Sequence, residues 1–124
     1  MTMMLVRVVL LVLLQPVLGE VTTQFGCEGS SVRLECGQDV ISLVRANWGR
    51  FSISVCNHLA KADLDTSCSS EAATTAFLAR RCQGLSSCQL EVEQEGLPLV
   101  CPGTEKYLEV RGNISLTYLY WPAG

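Results

Sequence analysis

Apolar and polar residues alternate along five short stretches of the chain and follow a helical spacing along one, which predicts an α+β domain that is mainly β. Val21 to Phe25 alternates loosely. Ser31 to Cys36 alternates cleanly, with Val32, Leu34 and Cys36 on one face and Ser31, Arg33 and Glu35 on the other, as in a half-buried strand. Gly37-Gln38-Asp39 reads as a turn, and Val40 to Asn47, with Ile41 and Leu43 opposed by Ser42, as the partner strand of a hairpin. Gly49, within Trp48-Gly49-Arg50, lets the backbone bend where that strand ends.

Between Cys56 and Cys68 the apolar residues have no period, and Asn57, Lys61, Asp63, Asp65, Thr66 and Ser67 dominate, so this stretch reads as a loop tied down at both ends. Ser69-Ser70-Glu71 has the composition of a helix start, hydroxyl caps followed by an acid in the first turn. The spacing predicts one main helix over about 71–81, with Ala73, Ala76, Phe77 and Arg80 on one side, Leu78 four residues before Cys82, and Arg80-Arg81 placed to suit the helix dipole. Gln83 to Ser87 is a turn. Gln89 to Glu95 alternates again, which puts Glu91, Glu93 and Glu95 together on a solvent face rather than in a metal or catalytic cluster. Gly96-Leu97-Pro98 breaks that strand. Cys101 to Val110 then joins a Pro-Gly turn to a last strand, with Tyr107 and Glu109 on one face and Leu108 and Val110 on the other. A turn held between a crosslink and a sheet loses little entropy on binding, so this stretch suits a binding site. Residues 112–124 show no clear pattern.

The N-terminus changes the picture of where the domain works. Met1 to Arg7 carries one positive charge, Val8 to Leu14 is unbroken apolar, and Val17-Leu18-Gly19 offers a cleavage site after Gly19, so residues 1–19 read as a secretory signal peptide. The apolar run is far shorter than the ~20 residues of a bilayer span, and no other run is long enough, so no membrane span is expected. Loss of residues 1–19 removes one cation, Arg7, and takes the formal net charge from −3 to −4, which makes nucleic acid an unsuitable partner. All seven cysteines lie beyond the leader, a density that fits a small, disulfide-stapled exported domain, secreted or extracellular. Zinc does not fit, because there is no Cys-x-x-Cys pair and His58 is the single histidine, so neither a metal nor any other cofactor is expected. His58 also stands in the polar loop without a serine or cysteine motif around it, which gives no support for an enzyme.

Three motifs, Cys27-Glu28-Gly29, Ala46-Asn47-Trp48-Gly49-Arg50 and Cys101-Pro-Gly-Thr-Glu-Lys-Tyr-Leu-Glu-Val110, together resemble the galactose/rhamnose-binding lectin domain of the sea-urchin-egg-lectin type, found in fish egg lectins and at the N-terminus of latrophilins. The resemblance covers about residues 25–111 and implies a division into a signal peptide (1–19), a lectin-type domain (20–111) and a divergent C-terminal tail (112–124). It implies a disulfide-crosslinked antiparallel β-sandwich with a helix, crosslinked here as Cys27 to Cys56, Cys68 to Cys101 and Cys82 to Cys88. The family's eighth cysteine would fall near Asn113, and with none beyond Cys101 the resemblance leaves Cys36 unpaired. Two readings of that gap stand side by side, an alternative or misread exon terminus and a genuine free thiol. Asn113-Ile114-Ser115 is also an N-glycosylation acceptor, so Asn113 is a candidate glycan site.

By the same resemblance, the sugar site comprises Glu28 as hydroxyl acceptor, Lys106 and the backbone around Gly103 as donors, and Asn47 and Trp48 as lining, with Trp48 in place of the family's usual tyrosine. Carboxylates and amides recognise sugar hydroxyls while a ring covers the sugar's C–H face. The chain departs from the family before Cys101, where an Asp-Pro-Cys that binds sugar directly is replaced by Leu99-Val100-Cys101. The implied function is a metal-independent lectin domain for rhamnose- or galactose-like sugar. The alternative is a protein-interaction module of an adhesion-type receptor ectodomain, on the same scaffold but without sugar binding, whose partner is a cell-surface protein.

Overall fold

The computed structural model describes residues 20–93 and 96–122; the predicted signal peptide lies outside them, as does Glu95. Among the described residues the order is β1 (Thr22–Cys27), β2 (Ser31–Glu35), β3 (Leu43–Gly49), α1 (Glu71–Cys82), β4 (Ser87–Glu91), β5 (Tyr107–Gly112) and β6 (Ser115–Tyr120). The strands form two three-stranded antiparallel sheets, β1-β5-β3 and β4-β2-β6. Alternation along each strand sends apolar side chains between the sheets. Ala46 and Trp48 of β3 and Leu108 and Val110 of β5 meet Val32 and Leu34 of β2 and Leu90 of β4 in one buried cluster. Each large apolar side chain buried in this way contributes about 1.5–3 kcal/mol.

The helix forms where its spacing places it, with Ser70 at the N-cap position but no cap hydrogen bond from its side chain, and it turns the stripe of Leu78 and Cys82 inward. Thr74, Leu78 and Cys82, four residues apart, are its buried residues, whereas Ala73, Ala76 and Arg80 face solvent and Phe77 is half-buried. The cause is the crosslink from Cys82 to Cys88 in β4, which sets the stripe containing Cys82 against the core. At its start Ser70 accepts from the Thr74 amide with its carbonyl, and its hydroxyl donates to the Trp48 carbonyl at 2.5 Å, tying the first turn to β3.

The predicted hairpin of Ser31–Cys36 with Val40–Asn47 does not form. The turn itself exists, with the Asp39 amide donating to the Cys36 carbonyl at 3.1 Å, but β2 and β3 belong to different sheets. Ile41 is fully buried, its amide donates to the Leu85 carbonyl at 2.7 Å, and the Gly84 amide donates to its carbonyl at 3.0 Å. The 40–42 segment therefore crosses between sheets along the turn after the helix, and β2 pairs instead with β4 and β6. That second partner comes from the stretch in which no element was predicted. β6 pairs with β2 from Glu35 opposite Ser115 to Ser31 opposite Tyr120, so residues of the tail complete the second sheet.

Candidate functional site

The first sheet brings the conserved-looking motifs of the resemblance to one end. β5 is its central strand, and both Cys27 of β1 and Gly49 of β3 lie opposite Tyr107. The residues next along the chain, Glu28, Arg50 and Lys106, therefore converge at the same edge. Two crosslinks staple this end: Cys27 to Cys56, with Cα atoms 5.6 Å apart, and Cys68 to Cys101, 6.0 Å apart. Gly49 is required here because a Cβ would overlap the Cys68 carbonyl, which accepts from the Arg50 amide at 3.0 Å.

Arg50 orders the loop that follows. Its guanidinium is fully buried and donates to the carbonyls of Glu105 (2.9 Å), Ser52 (2.9 Å), Val55 (2.5 Å) and Cys56 (2.9 Å), while its carbon lies 5.0 Å from the centre of the Tyr107 ring. Four carbonyl dipoles and a ring face thus hold a charge that has no carboxylate partner among the described residues. The fork geometry of arginine lets one side chain gather three turns of backbone. Tyr107 is buried beside it, and burial pushes its phenol pKa up.

Glu28 and Lys106 form the polar centre of the edge. One Glu28 carboxylate oxygen accepts from the Lys106 amide at 2.7 Å, and the other lies 3.9 Å from the Lys106 ammonium. The ammonium also donates to the Thr104 carbonyl at 2.9 Å and the Cys101 carbonyl at 3.5 Å, and it sits 5.9 Å from the Trp48 ring centre. Lys106 is 4% exposed, so its three donors are spent on the turn and on Glu28; it positions the acid and the 101–106 backbone rather than reaching out to a ligand. Glu28 keeps 31% of its side chain exposed and is the acceptor that faces solvent.

The other predicted site residues separate. Gly103 lies on the exposed turn with φ +82°, where open space meets the position a Cβ would occupy, so a ligand has access to this backbone. Trp48 is fully buried in the core, where the inward face of β3 takes it, and its indole N–H has no acceptor among the described residues. Asn47, on the opposite face of β3, accepts with Oδ1 from the Ser70 amide at 2.8 Å and donates with Nδ2 to the Ser69 hydroxyl at 3.0 Å. That makes it an anchor for the start of α1. Leu99 is 88% exposed, beside the turn where the family has its acid.

The three crosslinks implied by the family are the ones present, and Cys36 is free and half-buried. It lines a shallow, open depression with Asn113, Ile114 and Ser115 at the opposite end of the sandwich. Asn113 closes this corner: its Oδ1 accepts from the Ser42 amide at 2.6 Å and its Nδ2 donates to the Val40 carbonyl at 3.0 Å. Among the described residues no three of His, Cys, Asp and Glu gather as metal ligands, and no helix is long and apolar enough to cross a membrane.

Sequence reasoning missed two contributors to the Glu28 edge, Arg50 as an organiser and the tail. The signal for the tail was present as the alternation Ile114, Leu116, Tyr118 against Ser115 and Thr117, which is the period of a half-buried strand. The hydroxyl of Tyr118 accepts from the Cys27 amide at 3.3 Å and donates to the Phe25 carbonyl at 2.7 Å, so β6 supports β1 directly before Glu28.

Residues 34–113 match the D-galactoside/L-rhamnose binding SUEL lectin domain. Latrophilin Cirl of Drosophila ananassae is 40% identical over 88 residues, 70% of this chain and 5% of that protein. Latrophilin-like protein 1 of Caenorhabditis elegans is 36% identical over 92 residues, 70% of this chain and 9% of that protein. An L-rhamnose-binding lectin of Oncorhynchus keta is 36% identical over 99 residues, 78% of this chain and 32% of that protein. The chain thus spans a small part of the length of these relatives. With its two stapled sheets, its crosslink pattern and a match over most of the domain, the chain belongs to the SUEL lectin domain family, a family of binding domains and not of enzymes.

Proposed function

We propose that the chain is an exported carbohydrate-binding domain that takes a rhamnose- or galactose-like pyranose, without a metal ion, at the edge formed by Glu28 and the 101–106 turn. The observation that carries this reading is the Glu28 carboxylate, fixed by the Lys106 amide at 2.7 Å while still 31% exposed. A prepositioned, partly dry acceptor hydrogen-bonds hydroxyls without first having to order its own side chain. In this reading Lys106 holds the acid, the exposed backbone at Gly103 donates, and no ligand contact falls to Asn47 or Trp48. Three crosslinks suit an oxidising, extracellular compartment.

Leu99 supports a second reading. A leucine accepts no hydrogen bond, and the lost contact to an ionised acceptor is worth about 1.5–3 kcal/mol, about one to two decades in affinity. An 88% exposed leucine beside the site also suits a protein surface, which favours a protein-interaction module on the same scaffold. Calorimetric titration of the oxidised protein with L-rhamnose and D-galactose separates the two. The lectin reading expects weak binding that survives a chelator, is abolished in Glu28→Gln and is strengthened in Leu99→Asp. No heat at about millimolar sugar for either the natural chain or Leu99→Asp rules the lectin reading out.

A further inference from the structure

Trp48 is buried and offers no ring to a ligand at the Glu28 edge, and a more exposed ring is brought close to that edge by the tail. Both chain neighbours of Glu28 are held by it. The Cys27 amide donates to the Tyr118 hydroxyl at 3.3 Å, and Gly29 lies against the Pro122 ring, which a Cβ on Gly29 would meet at 3.6 Å. Trp121, between these two contacts, is 48% exposed. Its ring is braced by Tyr118, with centroids 4.5 Å apart, and by His58, 5.5 Å apart, both at steep angles. His58 in turn is placed by the neighbouring crosslink of Cys56 to Cys27. Lys106 of β5 therefore holds Glu28 itself, while Tyr118 and Pro122 of the tail touch its chain neighbours Cys27 and Gly29, and Trp121 stands with His58 beside those two contacts.

We infer that Trp121 is the aromatic wall of the Glu28 site, covering the apolar face of a pyranose whose hydroxyls the Glu28 carboxylate accepts. An exposed indole braced by two rings is a rigid platform, so it loses little side-chain freedom when a sugar stacks on it. Tyr118 and His58 act as positioning residues. The inference rests on the sugar-binding reading above and adds to it a residue from the tail, outside the part of the chain that matches the family.

The two tryptophans make the test direct, because Trp48 is fully buried and Trp121 is half in solvent. The oxidised natural chain is titrated with L-rhamnose and D-galactose, followed by tryptophan emission and by calorimetry, beside Trp121→Ala, Trp121→Phe and Glu28→Gln. The expected result is a blue shift on sugar addition that is absent in Trp121→Ala, an affinity about tenfold weaker in that variant, and near-natural affinity in Trp121→Phe, which keeps a ring. Retained near-ultraviolet circular dichroism shows that the variants are folded; Trp121→Phe guards against a folding defect in Trp121→Ala. Natural affinity in Trp121→Ala with binding abolished in Glu28→Gln overturns the wall and leaves the Glu28 site standing. Loss in Trp121→Ala with natural affinity in Glu28→Gln places sugar on the ring away from Glu28 and overturns the shared site. Absence of binding by the natural chain overturns both.

Discussion

The two ends of the sandwich solve the same problem by different means. At the Glu28 end, two disulfides of long sequence separation, 29 and 33 residues, and a buried arginine hold three loops together. At the opposite end Cys36 is free, and the corner is closed by hydrogen bonds: the Asn113 amide to residues 40 and 42, the Thr22 hydroxyl to the Ile114 carbonyl at 2.6 Å, and the Gln83 side chain to the Leu43 amide at 2.9 Å. The crosslink nearest that end, Cys82 to Cys88, spans only six residues and ties the helix to β4 rather than one sheet to the other. Long-loop crosslinks remove more freedom from the unfolded chain than short ones. The covalent stiffness thus lies around the Glu28 carboxylate and the 101–106 turn, and the other end is left with contacts that ordinary side chains can make.

That contrast can be broken first at Arg50. Arg50→Ala leaves four partly buried carbonyl acceptors without their donor and an empty space where a fully buried side chain stood, and the expected loss is about 3–5 kcal/mol in urea unfolding under oxidising conditions. A loss below about 1 kcal/mol would mean that the two disulfides alone order the loops. At the other end, Asn113→Ala removes two side-chain hydrogen bonds from a half-exposed corner and is expected to cost about 1–2 kcal/mol with sugar affinity unchanged. A change in affinity would show that the two ends are coupled. The smallest expected effect is alkaline. Tyr107 has its pKa raised by burial, so the unfolded chain loses the proton first as pH climbs; stability is fully present below about pH 10 and falls as pH rises from there through the folded value. Tyr107→Phe should flatten that decline, read as the unfolding midpoint between neutral and strongly alkaline pH.

Local periods marked the elements well. Ser31–Glu35, Tyr107–Val110 and the helix stand where spacing predicts them, because a half-buried strand or helix must repeat its apolar positions. Strand pairing was less legible. Gly37-Gln38-Asp39 makes a turn, yet Ile41 gains more by burying against the 84–85 turn than by extending a hairpin, and no local pattern records that competition. Spacing alone left open which side of the helix is inward, and the covalent bond of Cys82 to β4 settles it on the stripe of Leu78 and Cys82. In the site, Glu28 and Lys106 do meet, but Lys106 turns its donors inward, and Trp48 and Asn47 take structural places on the two faces of β3.

Motif and cysteine order therefore carried family membership, crosslink pattern and the strand-anchored turn from Cys101 to Val110, since these depend on covalent order and short-range spacing. Which acid faces solvent, which ring is buried and which tail residues reach Cys27 and Gly29 were decided only when two sheets packed face to face. Burial and hydrogen-bond competition act between residues far apart in the chain, such as Cys27 and Tyr118, and a linear pattern contains no term for them.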